Sequence, residues 1–212
     1  MKITKLLKGY VTYRESFYPT HAELLKNLAE HGQHPKVAVI ACCDSRVNPA
    51  MLTDSKPGDL FVIRNIASLV PPYVAADKSN WQGTIAAVEY AVFGLAVEHI
   101  VVLGHAQCGG INALLAESGV AKECEYVQSW MKIAAEAKQT ALGSCCDSPE
   151  EQAKVAEQAA VKISLKNLMT FPWVQERVEQ GTLELHGWYY NLASATLTTY
   201  DEQSDEFQAV KV

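Results

Sequence analysis

A chain of 212 residues, 49% of them hydrophobic and 20% charged, has the length and balance of one folded domain with a buried core rather than of a disordered segment. Its net charge of −6, from 18 Lys and Arg against 24 Asp and Glu with no basic block, argues against nucleic acid as a partner, because phosphate neutralisation needs a clustered cationic face. No run approaches the roughly 18 consecutive apolar residues of a membrane span, and the first residues lack the apolar stretch of a secretion signal, so no membrane partner and a cytoplasmic location are expected.

Helical spacing opens the chain over residues 3–17 and 21–30, with a break expected at Pro19; Ile3, Leu6, Leu7, Tyr10 and Val11 share one face. Residues 37–41 are a short β-branched run behind His34-Pro35-Lys36 and read as a strand buried on both faces. A second run, 60–63, follows the turn signal Lys56-Pro57-Gly58-Asp59. Over 81–93, from Trp81 to Phe93, Ile85, Val88, Ala91 and Val92 repeat at three and four residues, the spacing of a helix. The third strand, 99–103, ends at Gly104. Residues 126–142 and 149–168 are rich in the helix formers Ala, Glu, Gln and Lys, and Asp147 or Ser148 in the loop between them can cap the second helix. Residues 182–190 and 195–200 close as a hairpin around Asn191. Strands alternating with helices predict an α/β fold: a mostly parallel central sheet flanked by helices, with an N-terminal helical arm (1–35) and a C-terminal strand pair, all in one domain over 1–212.

Six cysteines are present, at 42, 43, 108, 124, 145 and 146. Two adjacent pairs do not make a disulfide framework. Open α/β sheets bind ligands at the carboxyl ends of their strands, and two strands here end in metal-ligating chemistry: Ala41-Cys42-Cys43-Asp44-Ser45-Arg46 and Gly104-His105-Ala106-Gln107-Cys108-Gly109-Gly110. His105 and Cys108 are near enough for one turn to aim both at an ion, and Cys42 arrives from another strand end. Two cysteines and one histidine leave a tetrahedral ion an open position, as catalytic zinc sites do. Gly109 and Gly110 permit close backbone approach and precede a helix whose amides can face an anion. Either segment alone is balanced by the ordinary fate of cysteine as a buried filler; their coincidence at two strand ends favours metal.

These segments resemble the β-class carbonic anhydrases. Cys42-Cys43-Asp44-Ser45-Arg46 matches that family's C-x-D-S-R motif and His105-Ala106-Gln107-Cys108-Gly109 its H-x-x-C-G motif. The likeness extends through Phe61–Ala67, Leu69–Tyr73, Glu89–Val92 and Leu185–Tyr190. It implies one zinc per subunit held by Cys42, His105 and Cys108, with water or hydroxide in the fourth position attacking carbon dioxide to give bicarbonate and a proton. It implies that Asp44 and Arg46 form a catalytic dyad, Arg46 keeping Asp44 ionised and turned from the metal. It further implies that Gln33 orients the substrate, that Phe61, Ile66 and Tyr90 wall its apolar pocket beside Gly109, and that Gln33, Phe61 and Tyr90 come from a partner in a homodimer or larger homo-oligomer. Phe61, Ile66 and Tyr90 also suit a plain core.

Gln33, Ala41 and Pro71-Pro72-Tyr73 resemble the plant-like branch. Val39 stands where the other branch has a tryptophan, so an inhibitory bicarbonate site built with Arg64 and Tyr190 is incomplete. Two thiolate ligands neutralise the zinc charge, which predicts activity rising into the alkaline range. His34, beside Gln33, is the candidate proton shuttle, and His21, His31, His99 and His186 read as surface or packing residues. Cys43, Cys124, Cys145 and Cys146 read as structural or incidental. Three alternatives stay open: a related enzyme acting on an analogue such as carbonyl sulfide or carbon disulfide, a non-catalytic zinc or redox protein on the same fold, and cysteine-nucleophile catalysis without metal.

Overall fold

In the computed structural model, residues 2–74, 82–116, 123–144, 146 and 148–210 are described. Trp81, Cys145 and Asp147 lie outside them. The chain opens with α1 (Ile3–Thr12) and α2 (Tyr18–His31), joined by a π turn at Tyr13–Phe17. The expected break at Pro19 does not occur: a wider turn just before it accommodates a residue with no N–H to give and a ring that crowds the preceding turn. Strand β1 (Val37–Cys42), the short α3 (Pro49–Leu52) and β2 (Leu60–Asn65) follow. Then come α4 (Gln82–Glu89), continued by a π turn at Tyr90–Gly94, β3 (His99–His105) and α5 (Gly109–Leu115).

The helix expected over 126–142 is two, α6 (Glu125–Met131) and α7 (Ala135–Leu142), separated by a 3₁₀ turn at Lys132–Ala134. Helix α8 (Pro149–Leu168) begins where the sequence indicates, its Ser148 side chain accepting from the Glu151 amide. Helix α9 (Pro172–Glu179) was not foreseen. Strands β4 (Glu184–Asn191) and β5 (Thr196–Asp201) form the expected hairpin, with Asn191 Oδ1 accepting from the amides of Ala193 and Ser194; a further strand, β6 (Glu206–Ala209), extends it.

All six strands make one sheet in the order β2-β1-β3-β4-β5-β6. Pairing is parallel from β2 through β4 and antiparallel from β4 to β6. Strand β1 is buried on both faces, as its unbroken apolar run requires: Ala38 and Ile40 meet Val88, Val92, Val161, Leu168 and Phe171 on one side, while Val39 and Ala41 meet Val47, Val101 and Leu103 on the other. Helix α8 lies close over the centre of the sheet because Gly104 and Gly187 carry no side chain; a Cβ on Gly104 would fall 2.5 Å from Val161 Cγ2. A third cluster joins α5, α6, α7 and the alanines of α8 to Cys42 and Cys108. By contrast, no residue of α1 is buried, and its apolar face stays open within the chain. Among the described residues no helix is long and apolar enough to cross a membrane.

Candidate metal centre

Strands β1 and β3 are neighbours and parallel, so their last residues, Cys42 and His105, emerge side by side at the carboxyl edge. After His105 the backbone turns through Gln107 at φ 57°, a left-handed conformation, which returns Cys108 to the same spot just before α5. The sulfurs of Cys42 and Cys108 and a ring nitrogen of His105 lie within 4.8 Å of one another, all three residues buried. His105 Nδ1 is 2.9 Å from the Ala106 carbonyl oxygen, which only accepts, so Nδ1 carries a proton. Its Nε2 is buried without a hydrogen-bond partner among the described residues.

A buried imidazole nitrogen without a partner is costly. Two sulfurs and this nitrogen facing one point are the donor set of a zinc site with one open position, so the residues fit the ion. The two thiols compete for one proton. The Cys42 thiol is pulled down to about 4, chiefly by a hydrogen bond from Cys108 and against the effect of burial. The Cys108 thiol is pushed up in turn by its bond to Cys42 and by burial. Burial lowers the His105 imidazole, but the Cys42 sulfur, the Ala106 carbonyl and Asp44 together raise it further.

Beside this group Asp44 and Arg46 form a two-point pair: Nε donates to Oδ1 at 2.9 Å and Nη2 to Oδ2 at 2.8 Å. The Arg46 amide also donates to Oδ1 at 2.9 Å, and Nη2 reaches the Gln107 carbonyl at 3.1 Å, tying the two site loops together. These bonds hold the Asp44 carboxyl well below the usual carboxylate range. Its Oδ2 stands 4.0 Å from His105 Nε2, so the carboxylate borders the ion's place while remaining bound to the guanidinium.

Sequence reasoning missed two supports. Arg64, on β2, donates to the Cys42 carbonyl at 3.0 and 2.6 Å and to the carbonyls of Asp44 and Val47 at 2.8 and 2.7 Å, which fixes the loop after β1. Glu157, only 3% exposed, accepts from the Cys108 amide at 2.9 Å and from Tyr189 Oη at 2.8 Å. Burial raises its pKa. A glutamate between Ala156 and the Ala159-Ala160 pair was the available signal, since small residues mark the face of α8 that packs closely.

Of the expected pocket residues, Gly109 opens α5. Ile66 lies against Gly110, whose Cβ would fall 2.8 Å from Ile66 Cγ2, and is 37% exposed. Phe61 and Tyr90 pair with each other on β2 and the turn after α4, ring centroids 5.9 Å apart, with Tyr90 52% exposed. Gln33 is exposed in the segment after α2. His34 is exposed beside it.

The carbonic anhydrase family profile matches residues 37–197. A carbonic anhydrase of Synechocystis sp. is 36% identical over 206 residues, covering 97% of this chain and 73% of its own length. Beta carbonic anhydrase 5, chloroplastic, of Arabidopsis thaliana is 39% identical over 188 residues, covering 88% of this chain; the chain spans 61% of that relative. The solved β-carbonic anhydrase CcaA superposes with a TM-score of 0.91 at 35% identity, over 99% of this chain and 92% of that one. A tetrameric β-carbonic anhydrase from Sordaria macrospora gives 0.82 at 27% identity, over 93% and 95%.

Proposed function

The chain belongs to the β-class carbonic anhydrases, and from that premise we propose that its zinc-dependent, reversible hydration of carbon dioxide to bicarbonate and a proton is performed where Cys42, His105 and Cys108 converge, with Asp44 and Arg46 as the catalytic pair. The observation that carries the assignment is the buried His105 Nε2, without a hydrogen-bond partner among the described residues, facing two sulfurs beside a carboxylate already bound to arginine. When bound there, zinc makes a water acidic enough to act as a nucleophile near neutral pH.

The protein's own groups do the rest. The Ala106 carbonyl holds the His105 ring with Nε2 free to ligate, as outer partners of metal-bound histidines do. Asp44 Oδ2, kept ionised by Arg46, accepts the hydrogen bond of the attacking water and aims its lone pair at carbon. Arg64 and the Glu157–Tyr189 pair hold Cys42 and Cys108 in place from behind. Carbon dioxide is small and apolar, so the wall formed by Ile66 and the start of α5 at Gly109 is sufficient on this side of the pocket.

Gln33, Phe61 and Tyr90 complete the pocket from a second copy; the exposure of Gln33 and Tyr90 in the single chain, with half-buried Phe61 paired to Tyr90, and the tetrameric relative support a homo-oligomer. The branch without bicarbonate inhibition is favoured by Val39 and by Arg64, whose guanidinium is already engaged with three carbonyls. Residues 1–212 are read as one unit with an arm over 1–35, because β4–β6 share the sheet of β1–β3. A cytoplasmic location is supported by the thiols of Cys43, Cys124 and Cys146, which form no disulfide among the described residues.

Zinc content and stopped-flow carbon dioxide hydration, measured together, test the assignment. Cys42→Ala is expected to lose both zinc and activity. Asp44→Asn is expected to keep zinc and lose on the order of 10²-fold in rate, the scale of general acid–base help. A wild type that carries zinc without hydrating carbon dioxide, or an active Cys42→Ala, overturns it.

A further inference from the structure

At the opposite end of the sheet, where β3 and β4 begin, stands a second group of ligating side chains. His99 and Glu184 are register partners in the parallel pair, and His186 lies two residues beyond Glu184. The pleat sends alternate residues to the same face, so all three side chains emerge together. His99 Nδ1 is 3.1 Å from His186 Nε2. Glu184 Oε2 is 3.7 Å from each of those nitrogens.

This triangle has the dimensions of a metal site. With zinc bonds of about 2.0–2.2 Å to nitrogen and oxygen, one ion can span all three atoms, which lie within 4.8 Å of one another, once small ring rotations turn the nitrogen lone pairs onto it. The two imidazoles now share one proton, and a cation can replace it, because both nitrogens then present lone pairs. Lys36 Nζ is held at 2.6 Å by Glu98. The histidine side chains are 37% and 35% exposed, enough for an ion to enter and for packing to restrict the rings.

We propose that His99, His186 and Glu184 bind a divalent transition-metal ion, zinc being the natural probe, as a second metal site that clamps the first residues of β3 to those of β4. Two imidazoles and a carboxylate favour zinc, nickel or copper over calcium or magnesium. The site is independent of the Cys42–His105–Cys108 centre, which lies at the other end of the same strands.

Equilibrium dialysis of the purified, zinc-loaded protein against Zn²⁺, with the bound metal counted, tests the proposal. Wild type is expected to hold two equivalents per chain. The double variant His99→Asn/His186→Gln is expected to hold one, with carbon dioxide hydration unchanged, and Glu184→Gln to weaken the second equivalent about tenfold. Copper added to the zinc-loaded wild type gives a second readout that needs no variant: its paramagnetic resonance spectrum should show coupling to two imidazole nitrogens. A wild type that stops at one equivalent, a double variant that still takes two, or a copper spectrum without nitrogen coupling overturns the proposal.

Discussion

At the scale of single residues, geometry rather than charge alone distinguishes the groups around the metal centre. Arg46 meets Asp44 through two parallel bonds and also reaches the Gln107 carbonyl, which a lysine ammonium cannot reproduce. Arg46→Lys is therefore expected to keep its zinc and lose about 10- to 100-fold in hydration rate by stopped flow, the usual cost of losing an orienting partner. Cys42 and Cys108 both face the ion's place, and two thiolates offset the charge that two neutral imidazoles would leave. The wild-type rate is thus expected to climb above neutrality, and a pH–rate profile already flat below pH 7 contradicts this.

Among the elements, α8 does the most to position the site. It carries Glu157 beneath Cys108 and packs on β3 and β4 at the two glycines. A methyl group at Gly104 meets Val161 Cγ2, so Gly104→Ala is expected to lower the denaturant midpoint by the equivalent of about 1–3 kcal/mol. Adding Val161→Ala makes room, and the pair is expected to recover part of the loss in a double-mutant cycle. The same helix reaches the terminal hairpin through Lys162, whose ammonium binds the Asp205 carbonyl at 2.8 Å and Oδ1 at 2.6 Å, while Tyr200 donates to Oδ1 at 2.8 Å. The bond from Lys162 and then that from Tyr200 depress the Asp205 carboxyl from its ordinary 3.8. A depressed acid contributes stability that is present above the unfolded pKa and lost as pH falls through the folded one. The stability gap between wild type and Lys162→Met is expected to be small, constant above about pH 4 and gone below the folded value, as acid-titrated denaturation can measure.

For the molecule as a whole, the uncovered surface of the N-terminal arm is the main structural fact. Ile3 is 69%, Leu7 62% and Tyr10 60% exposed on one face of α1, a contiguous apolar surface of the kind that marks an interaction site. A second copy is expected to cover this face in the proposed homo-oligomer. Leu6→Glu combined with Leu7→Glu is expected to shift sedimentation towards smaller species and to lower hydration activity with zinc retained, because the pocket then lacks Gln33, Phe61 and Tyr90 of the partner. Unchanged sedimentation counts against the arm as the contact.

Much was legible in the residues themselves. Unbroken apolar runs ended by turn signals determined β1 and β3, and the ligand-bearing segments after them determined the chemistry, because a parallel sheet exposes the carboxyl ends of its strands. What spans long sequence distances was not legible. That Arg64 spends its guanidinium on three carbonyls follows from β2 lying beside β1, and that Glu157 sits under Cys108 follows from α8 crossing two glycines. Local pattern also missed β6, which pairs only with its hairpin neighbour, and the π turn that carries the arm past Pro19. Thus the sequence by itself determined the donor atoms and the central strands, and its family resemblance gave the reaction class. Only the tertiary structure decided which side chains hold those donors in place and which faces stay open, because both depend on packing between segments that no local period or spacing encodes.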